Sequence, residues 1–345
     1  MIHFDCDYMA GAHPALLDAL VRTNLEHTAG YGNDPYTAEA RELIRKAVGN
    51  SEAQVMFLVG GTQTNATLID GILARHEGVL AAESGHIAVH ESGAIEASGH
   101  KVLTLPHYDG KVRSEDVERY ITEFYADETY QHMVAPGMLY ISQPTEYGTV
   151  YSLSELEALS ECCHRHNIPL YVDGARLGYA LAAESADFTL RDMARLADLF
   201  YIGGTKMGAL FGEAVVVNNP TLLKNLFPLV KQHGALLAKG RLLGVQFAEL
   251  FRDGLYERIG HHAVTLAMRI KQTFTAAGYD VVVDSPTNQQ FFRLPNDVID
   301  SLRQHASFDY WGPRGKDMSI VRLVTSWATT EADVEELIKL IKSKE

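Results

Sequence analysis

The chain has 345 residues, and at about 150 residues per domain this length favours two domains. Acidic residues exceed basic ones by 44 to 30, and a net charge of −14 argues against a nucleic-acid partner or an anionic membrane. The three cysteines (Cys6, Cys162 and Cys163) form no CxxC pair, which is typical of a reducing compartment. The N-terminus has no signal-peptide pattern and no apolar run reaches about 18 residues, so we expect a cytoplasmic protein.

Short β-rich runs alternate with amphipathic stretches of helical length over the first two thirds of the chain. The predicted strands are residues 54–59, 78–82, 101–105, 138–142, 170–172, 199–202 and 213–217. The predicted helices are residues 62–75, 114–125, 152–166 and 190–196, and the third opens with the capping-box pair Ser152 and Glu155. Several strands are apolar throughout, as in sheets buried on both faces. The alternation predicts an α/β domain with a mainly parallel sheet.

The pattern changes after residue 239. A long helix over 239–275, with breaks near Gly254 and Gly260, precedes predicted strands at 281–283, 289–293 and 319–323. A last helix begins at Thr330 and has Lys342 and Lys344 near its end, where positive charges interact favourably with the helix dipole. This order predicts a smaller α+β domain. We therefore divide the chain into residues 1–245 and 246–345.

Three predicted strands are followed by polar motifs at the edge where open α/β sheets bind ligands. The motifs are GGTQTN at 60–65, DGAR at 173–176 and GGTKMG at 203–208. Each alone can be structural: a glycine turn with a cap, an Asp–Arg pair, or a surface-loop lysine. Together they offer an anion site at a helix start, a buried carboxylate and an imine-forming lysine. These are the groups that pyridoxal 5′-phosphate requires.

These motifs belong to a longer ordered set that carries a family resemblance. The set is YGNDP at 31–35, FLVGGTQTN at 57–65, HIAVHESGAIE at 86–96, IPLYVDGARLGYA at 168–180, FYIGGTKMGALFGEAVVV at 200–217 and VRLVTSWATTEADVEEL at 321–337. Through it the chain resembles, almost end to end, the low-specificity L-threonine aldolase and β-eliminating lyase family. That resemblance implies a fold-type I large domain of the pyridoxal-phosphate-dependent transferase type, with a small C-terminal α+β domain.

The resemblance also implies cofactor-binding roles for individual residues. Lys206 would hold the cofactor covalently, Asp173 would pair with its ring nitrogen, and His86 would stack on its ring. The residues expected at the phosphate are Gly61, Thr62 and Thr205. The cofactor expected from the resemblance is therefore the one that the three motifs predict.

Further roles concern an amino-acid substrate and a partner subunit. Arg322 matches the family's arginine for the substrate carboxylate, and Arg176 would lie near that carboxylate and the cofactor ring oxygen. Cys6 and Tyr31 would line the cleft, the tyrosine from across a dimer interface. The resemblance thus implies a homodimer or homotetramer whose active site lies between subunits.

The implied reaction is retro-aldol cleavage of L-threonine, L-allo-threonine or a related β-hydroxy-α-amino acid to glycine and an aldehyde. Many aldolases of the family have a histidine near the substrate hydroxyl in an ENTHNG segment, whereas this chain has QPTEYG at 143–148. Glu146 is therefore one candidate base, and His90, one helical turn after His86, is the other.

Other functions stay open at this point. The same cofactor can support β-elimination, racemisation or transamination, and a relative without activity can serve as a binding subunit. The 15 histidines form no signature such as HExxH, so we expect no metal site.

Overall fold

The computed structural model describes residues 1–223 and 225–342. Lys344, expected near the end of the last helix, lies outside them. The strands are β1 Ile2–His3, β2 Gln54–Leu58, β3 Glu77–Ala82, β4 Val102–Leu105, β5 Ala135–Ser142, β6 Leu170–Asp173, β7 Leu199–Gly203, β8 Glu213–Val217, β9 Asp280–Val283, β10 Gln289–Pro295, β11 Ala306–Ser307, β12 Asp309–Tyr310 and β13 Met318–Val324. The helices are α1 Pro14–Thr23, α2 Pro35–Val48, α3 Gly61–Ile72, α4 His86–Val89, α5 Ala94–Ala97, α6 Ser114–Ala126, α7 Leu153–Arg165, α8 Leu177–Leu181, α9 Leu190–Leu196, α10 Leu226–Gln232, α11 Arg241–Phe251, α12 Leu255–Ala276, α13 Asn296–Leu302 and α14 Glu331–Lys342, with 3₁₀ turns at Tyr130–His132 and Arg252–Gly254. Among these described helices, none has both the length and the apolar character needed to span a membrane.

The large sheet has seven strands in the order β2-β8-β7-β6-β5-β3-β4. Strands β4, β3, β5, β6 and β7 pair in parallel, while β8 is antiparallel to both β7 and β2. Along β3, Val79 and Ala81 join one apolar cluster and Leu80 joins another. Because side chains alternate along a strand, the sheet is buried on both faces. The predicted α/β class with a mainly parallel sheet is confirmed.

The predicted elements of this region are present with small shifts at their ends. All seven expected strands form, although β5 begins three residues earlier than predicted, at Ala135. The capping box is also confirmed: Ser152 Oγ accepts from Glu155 N at 3.2 Å, and Glu155 Oε2 accepts from Ser152 N at 2.8 Å. Because both hydrogen bonds join residues only three positions apart, the capping box could be predicted from the local sequence pattern.

The C-terminal region forms a second, antiparallel sheet in the order β12-β13-β10-β9. Its core includes Phe274 of α12 stacked on Phe292 of β10, with ring centroids 4.1 Å apart. The N-terminus belongs to the same core, since β1 pairs with β11 and Phe4 is fully buried there. The predicted α+β character is present. The boundary between residues 245 and 246 falls inside α11 and stays a prediction.

The long predicted helix divides once rather than twice. It begins at Arg241 and is interrupted at Gly254, whose φ of 68° marks the break between α11 and α12. The second expected break, at Gly260, is wrong, because this glycine lies inside α12. A Cβ there would lie 2.4 Å from the Gly178 carbonyl oxygen, so the glycine permits close packing of α12 against α8.

Candidate active site

Two adjoining cavities lie at the carboxyl ends of the parallel strands. Asp173 ends β6, and Lys206 follows β7 on the loop that leads to β8. Strand β2 runs in the same direction as β7, so the start of α3 reaches the same edge. The cavities have volumes of about 290 and 860 Å³ and share the wall residues Tyr8, His86, Glu146, Arg176 and Lys206.

Asp173 is a buried carboxylate with a complete set of hydrogen bonds. Tyr140 Oη donates to its Oδ2 at 2.6 Å, Asn65 Nδ2 donates to the same atom at 3.1 Å, and Tyr201 donates to Oδ1. Burial by itself raises the pKa of Asp173, but the charge of His86 and the tyrosine hydroxyls outweigh it and hold the pKa below its ordinary value. The site therefore contains a fixed negative charge that can pair with a cation.

His86 is joined to Asp173 through two side chains that sequence reasoning missed. Its Nδ1 lies 2.7 Å from Oε1 of the buried Glu91, and Asn65 Nδ2 donates to that oxygen at 2.7 Å. Burial lowers the pKa of His86, but the hydrogen bond to Glu91 and the charge of Asp173 raise it above its ordinary value. Both missed residues belong to the quoted motifs, but only the fold shows that they meet.

The start of α3 borders the smaller cavity. Gly60 is the N-cap residue and gives the helix no side-chain cap. Gly61 and Thr62 line this cavity together with Thr205. Free amide groups at a helix start attract an anion through their N–H groups and the helix dipole. The three residues expected at a phosphate are therefore brought together here.

Lys206 lines both cavities. The Tyr179 hydroxyl donates to its carbonyl oxygen at 2.5 Å and helps to fix the loop. Burial and the neighbouring charge of Arg176 lower the pKa of the Lys206 amine. A larger fraction of the Lys206 amine is therefore neutral, and the neutral amine is the form that attacks a carbonyl.

Arg176 is held by the N-terminal segment. Its Nε and Nη2 donate to the two oxygens of Asp7 at 2.7 and 3.0 Å, and Asn288 Nδ2 donates to Asp7 at 2.9 Å. The next side chain, Tyr8, lines both cavities. Cys6 is half-buried and, among the described residues, is not part of either cavity wall. The segment thus borders the site through Tyr8 rather than through the expected cysteine.

Arg322 lies on β13 and lines the larger cavity. Its Nη2 donates to Asp309 Oδ2 at 2.9 Å and its Nη1 to Gln289 Oε1 at 3.2 Å. The guanidinium carbon is 5.4 Å from the centre of the Trp311 ring. An arginine in this position can bind a carboxylate with two parallel hydrogen bonds. Asp309 is the protein's own carboxylate at that arginine.

Both candidate bases lie next to His86: Glu146 contacts its backbone amide, and the ring of His90 is 5.7 Å from its ring. Glu146 lines both cavities, and its Oε1 accepts from Ser142 Oγ at 2.7 Å and from His86 N at 3.0 Å. Burial raises the pKa of Glu146. His90 lines only the larger cavity, where burial and then the charge of His86 lower its pKa. The structure thus places both candidates at the site.

Tyr31 lies outside both cavities. It lines a small recess with Leu243 and Arg41, and 44% of its surface is exposed. Lys231 Nζ lies 4.9 Å from the centre of its ring. Within one chain, therefore, Tyr31 does not join the residues of the two cavities.

One cluster of possible metal ligands, two partly exposed and one buried, lies away from both cavities. Atoms of Glu118, Cys162 and His166 lie within 4.8 Å of one another. Arg165 donates to Glu118 at 2.7 Å, and the hydrogen bonds from Arg165 and His166 lower the pKa of this carboxyl to about 2. These ion pairs account for the cluster, and the absence of a metal site stays a prediction.

The fold and the position of its buried lysine and aspartate define a fold-type I enzyme. Aspartate aminotransferase from Thermus thermophilus shares this fold, with a TM-score of 0.72 at 17% identity over 99% of this chain and 91% of that one. The chain belongs to the beta-eliminating lyase family, whose model matches residues 3–296.

Two similar proteins cover nearly the whole chain. The low specificity L-threonine aldolase of Pseudomonas sp. (strain NCIMB 10558) is 28% identical over 99% of this chain and 97% of its own. A solved structure of Leishmania major threonine aldolase has a TM-score of 0.97 and 42% identity, covering 100% of this chain and 99% of that one. The family resemblance read from the motifs is confirmed.

Proposed function

We propose that this protein is a pyridoxal 5′-phosphate-dependent aldehyde-lyase that cleaves L-threonine, L-allo-threonine or related β-hydroxy-α-amino acids to glycine and an aldehyde. The observation that carries the proposal is the meeting of Asp173, Lys206 and the uncapped start of α3 at one cavity. Arg322 borders the adjoining cavity, where an amino-acid carboxylate would bind. The similarity to two threonine aldolases supports the substrate class.

The residues present fit the cofactor. Lys206 would hold it covalently, Asp173 would pair with its ring nitrogen, and His86 would lie against its ring. The phosphate would be held by Gly61, Thr62 and Thr205. The donor set itself supports this assignment, because it combines a buried carboxylate, an amine of lowered pKa and a helix start without a side-chain cap. When bound, the cofactor supplies an electron sink for the bond broken at the substrate α-carbon.

The substrate would be oriented by charge and by hydrogen bonds. Arg322 binds and aligns the α-carboxylate, and Arg176 adds a second positive charge that Asp7 holds in place. Glu146 accepts the proton of the β-hydroxyl as the bond to the β-carbon breaks, and His90 is the second candidate for that step. Because its pKa is raised, the Glu146 carboxylate is a stronger base than an ordinary glutamate, and its pKa lies closer to neutral pH, where a general base works best.

A product assay tests this proposal directly. Purified protein is supplied with L-threonine, L-allo-threonine and phenylserine, and glycine, aldehyde, ammonia and keto acid are measured. Equal amounts of glycine and aldehyde are expected, with loss of both in Lys206→Ala. Ammonia with a keto acid would instead indicate β-elimination. A chain that takes up no pyridoxal phosphate and releases no product would overturn the enzymatic function.

We also propose that the active protein is a homodimer or homotetramer in the cytoplasm. The exposed position of Tyr31, away from its own chain's cavities, supports a role in a neighbouring subunit. The three free cysteines support a reducing compartment. Mixing Lys206→Ala and Tyr31→Ala chains tests the shared site. Tyr31→Ala alone should be nearly inactive, and the mixture should recover activity if each tyrosine serves the other subunit. A fully active Tyr31→Ala chain, or no recovery in the mixture, would contradict a shared site.

A further inference from the structure

We propose that Glu213 is a positioning residue for phosphate binding: its protonated carboxyl group donates to Thr205 and thereby frees the Thr205 hydroxyl proton for the phosphate. Binding of a phosphate group would then require a proton on Glu213. This inference rests on the proposed function, because it concerns the phosphate end of the proposed cofactor site.

Three short contacts surround the Thr205 hydroxyl and the Glu213 carboxyl group. Thr205 Oγ1 lies 2.9 Å from Glu213 Oε1, and Gly212 N donates to Thr205 Oγ1 at 3.0 Å. The other carboxyl oxygen, Oε2, accepts from Gly204 N at 3.1 Å. Glu213 is only 3% exposed, and both it and Thr205 belong to the wall of the cavity at the start of α3. The threonine hydroxyl is therefore hydrogen-bonded to a buried acid at the cavity expected to hold the phosphate.

Thr205 can donate a hydrogen bond to a phosphate only if its hydroxyl proton is not already used within this cluster. An ionised Glu213 can only accept hydrogen bonds, so Thr205 must donate its single hydroxyl proton to it. A phosphate dianion, which also only accepts, would then find no donor in Thr205. The remaining protein acceptor of the hydroxyl, the Gly212 carbonyl oxygen, lies 3.5 Å away, which is long for a hydrogen bond.

Protonation of Glu213 reverses the central hydrogen bond. The new O–H group on Oε1 donates to Thr205 Oγ1, while Oε2 continues to accept from the Gly204 amide. Thr205 Oγ1 then accepts from Glu213 and from Gly212, which uses both lone pairs. Its own proton is released toward the cavity. All groups in the cluster are satisfied, and the threonine becomes a phosphate donor.

The surroundings favour the protonated form near neutral pH. Burial raises the pKa of Glu213 to about 8. The charged groups that face it are Lys206, which opposes this rise, and Asp173, which adds to it; the hydroxyls of Tyr171, Tyr201 and Tyr256 also lie within its electrostatic reach. A bound phosphate dianion would add a further like charge. Phosphate and proton should therefore bind together.

Glu213→Gln provides a variant that mimics the protonated state. Gly204 N donates to Oε2 at 3.1 Å as well as to the Gly212 carbonyl oxygen at 3.0 Å, so an NH₂ group in the place of Oε2 would face another donor. The side-chain oxygen therefore takes that place, and the new NH₂ group faces Thr205 and donates to it at every pH. Glu213→Ala removes the carboxylate that takes up the Thr205 proton, and Thr205→Val removes the hydroxyl itself. Only Thr205→Val is expected to bind phosphate at least tenfold more weakly than the wild type at pH 7, whereas the glutamine variant retains wild-type affinity.

The experiment measures the dissociation constants of inorganic phosphate and pyridoxal 5′-phosphate from pH 6.5 to 10 in the full-length chain. Both series are repeated in Lys206→Ala, so that titration of the amine is absent. Above about pH 8 the wild-type affinity should fall toward tenfold per pH unit, the slope for one linked proton. Glu213→Gln should show no such fall. Equal slopes in the two proteins, or a flat wild-type profile, would overturn the proposal.

Calorimetry on the wild-type chain gives a test that needs no variant. Phosphate binding at pH 9, measured in two buffers of different ionisation enthalpy, should take up close to one proton; pyridoxal, which lacks the phosphate, should take up none through this group. Equal proton uptake for both ligands would refute the role of Glu213. Such a failure leaves the proposed lyase standing if glycine and aldehyde are still formed, so the two hypotheses fail separately.

Discussion

Replacing Glu146 by glutamine should remove a base while leaving its structural hydrogen bonds in place. Oε1 accepts from the Ser142 hydroxyl at 2.7 Å and from the His86 amide at 3.0 Å, and a side-chain amide oxygen can accept both. The other terminal atom changes from a carboxylate oxygen to an NH₂ group. We therefore expect the fold to persist and the ability to take up the substrate hydroxyl proton to disappear.

The size of the effect follows from this single loss. A positioned general base contributes about 10²- to 10⁴-fold to a rate, so kcat for cleavage of L-threonine should fall by that factor. KM should change little, because Arg322 keeps its place in the larger cavity. Burial raises the pKa of Glu146, so wild-type kcat should rise with pH as the carboxyl loses its proton, at a pH above the ordinary range of glutamate. The variant should lack that rise.

The assay follows aldehyde formation through a coupled alcohol dehydrogenase between pH 5 and 9. Glu83→Gln is the matched control, because it removes an exposed carboxylate at the edge of the same larger cavity, and its kcat should stay within threefold of the wild type. A Glu146→Gln enzyme that keeps kcat within tenfold and retains the acidic limb would refute the assignment. His90→Asn would then be expected to show the large loss instead.

Three further variants test other features of the molecule. Asp309→Asn removes the carboxylate paired with Arg322, so KM for the amino acid should fall about two- to fivefold, the range for a half-exposed ion pair. Gly260→Ala places a methyl group 2.4 Å from a carbonyl oxygen of α8 and should destabilise the fold by about 1–3 kcal/mol in denaturant melts, whereas Gly11→Ala, with nothing within 4 Å, should not. Burial raises the pKa of Glu213 from 4.5 to about 8, so between these values the folded chain holds a proton that the unfolded chain releases. Wild-type stability should therefore fall relative to Glu213→Gln as pH rises through that window.

Each of these expectations has a clear opposite result. An unchanged or higher KM in Asp309→Asn would mean that this carboxylate does not compete with substrate for Arg322. Equal melting of Gly260→Ala and its control would mean that α12 and α8 separate at little cost. Parallel stability–pH curves for the wild type and Glu213→Gln would show that Glu213 ionises equally in the folded and unfolded chain.

Sequence reasoning located the parts of the site that lie directly after strands. Asp173 and Lys206 could be placed at one sheet edge because consecutive parallel strands bring their carboxyl ends together. Their surroundings could not be predicted in the same way. Asn65 contacts Asp173 across 108 positions of the chain, and Asp7 contacts Arg176 across 169. A local periodicity pattern carries no information about contacts between residues that are so far apart in the sequence.

Gly260 illustrates the same limit within the fold. A glycine in a helical pattern predicts a break from local propensity alone, but packing against α8 gave it a place inside α12. Glu213 is the corresponding case in the site. Its motif predicted a strand, and only the fold brought the buried carboxyl group to Thr205.

The sequence by itself determined the α/β class, the strand order along the chain and the residues that carry the expected chemistry. Apolar runs, caps and glycine turns act over a few residues, so their physical effect can be read locally. Only the tertiary structure decided which polar side chains meet: Glu91 with His86, Asp309 with Arg322, and Glu213 with Thr205. Burial and electrostatic interaction depend on distance in space, and they set the protonation states on which the proposed mechanism rests.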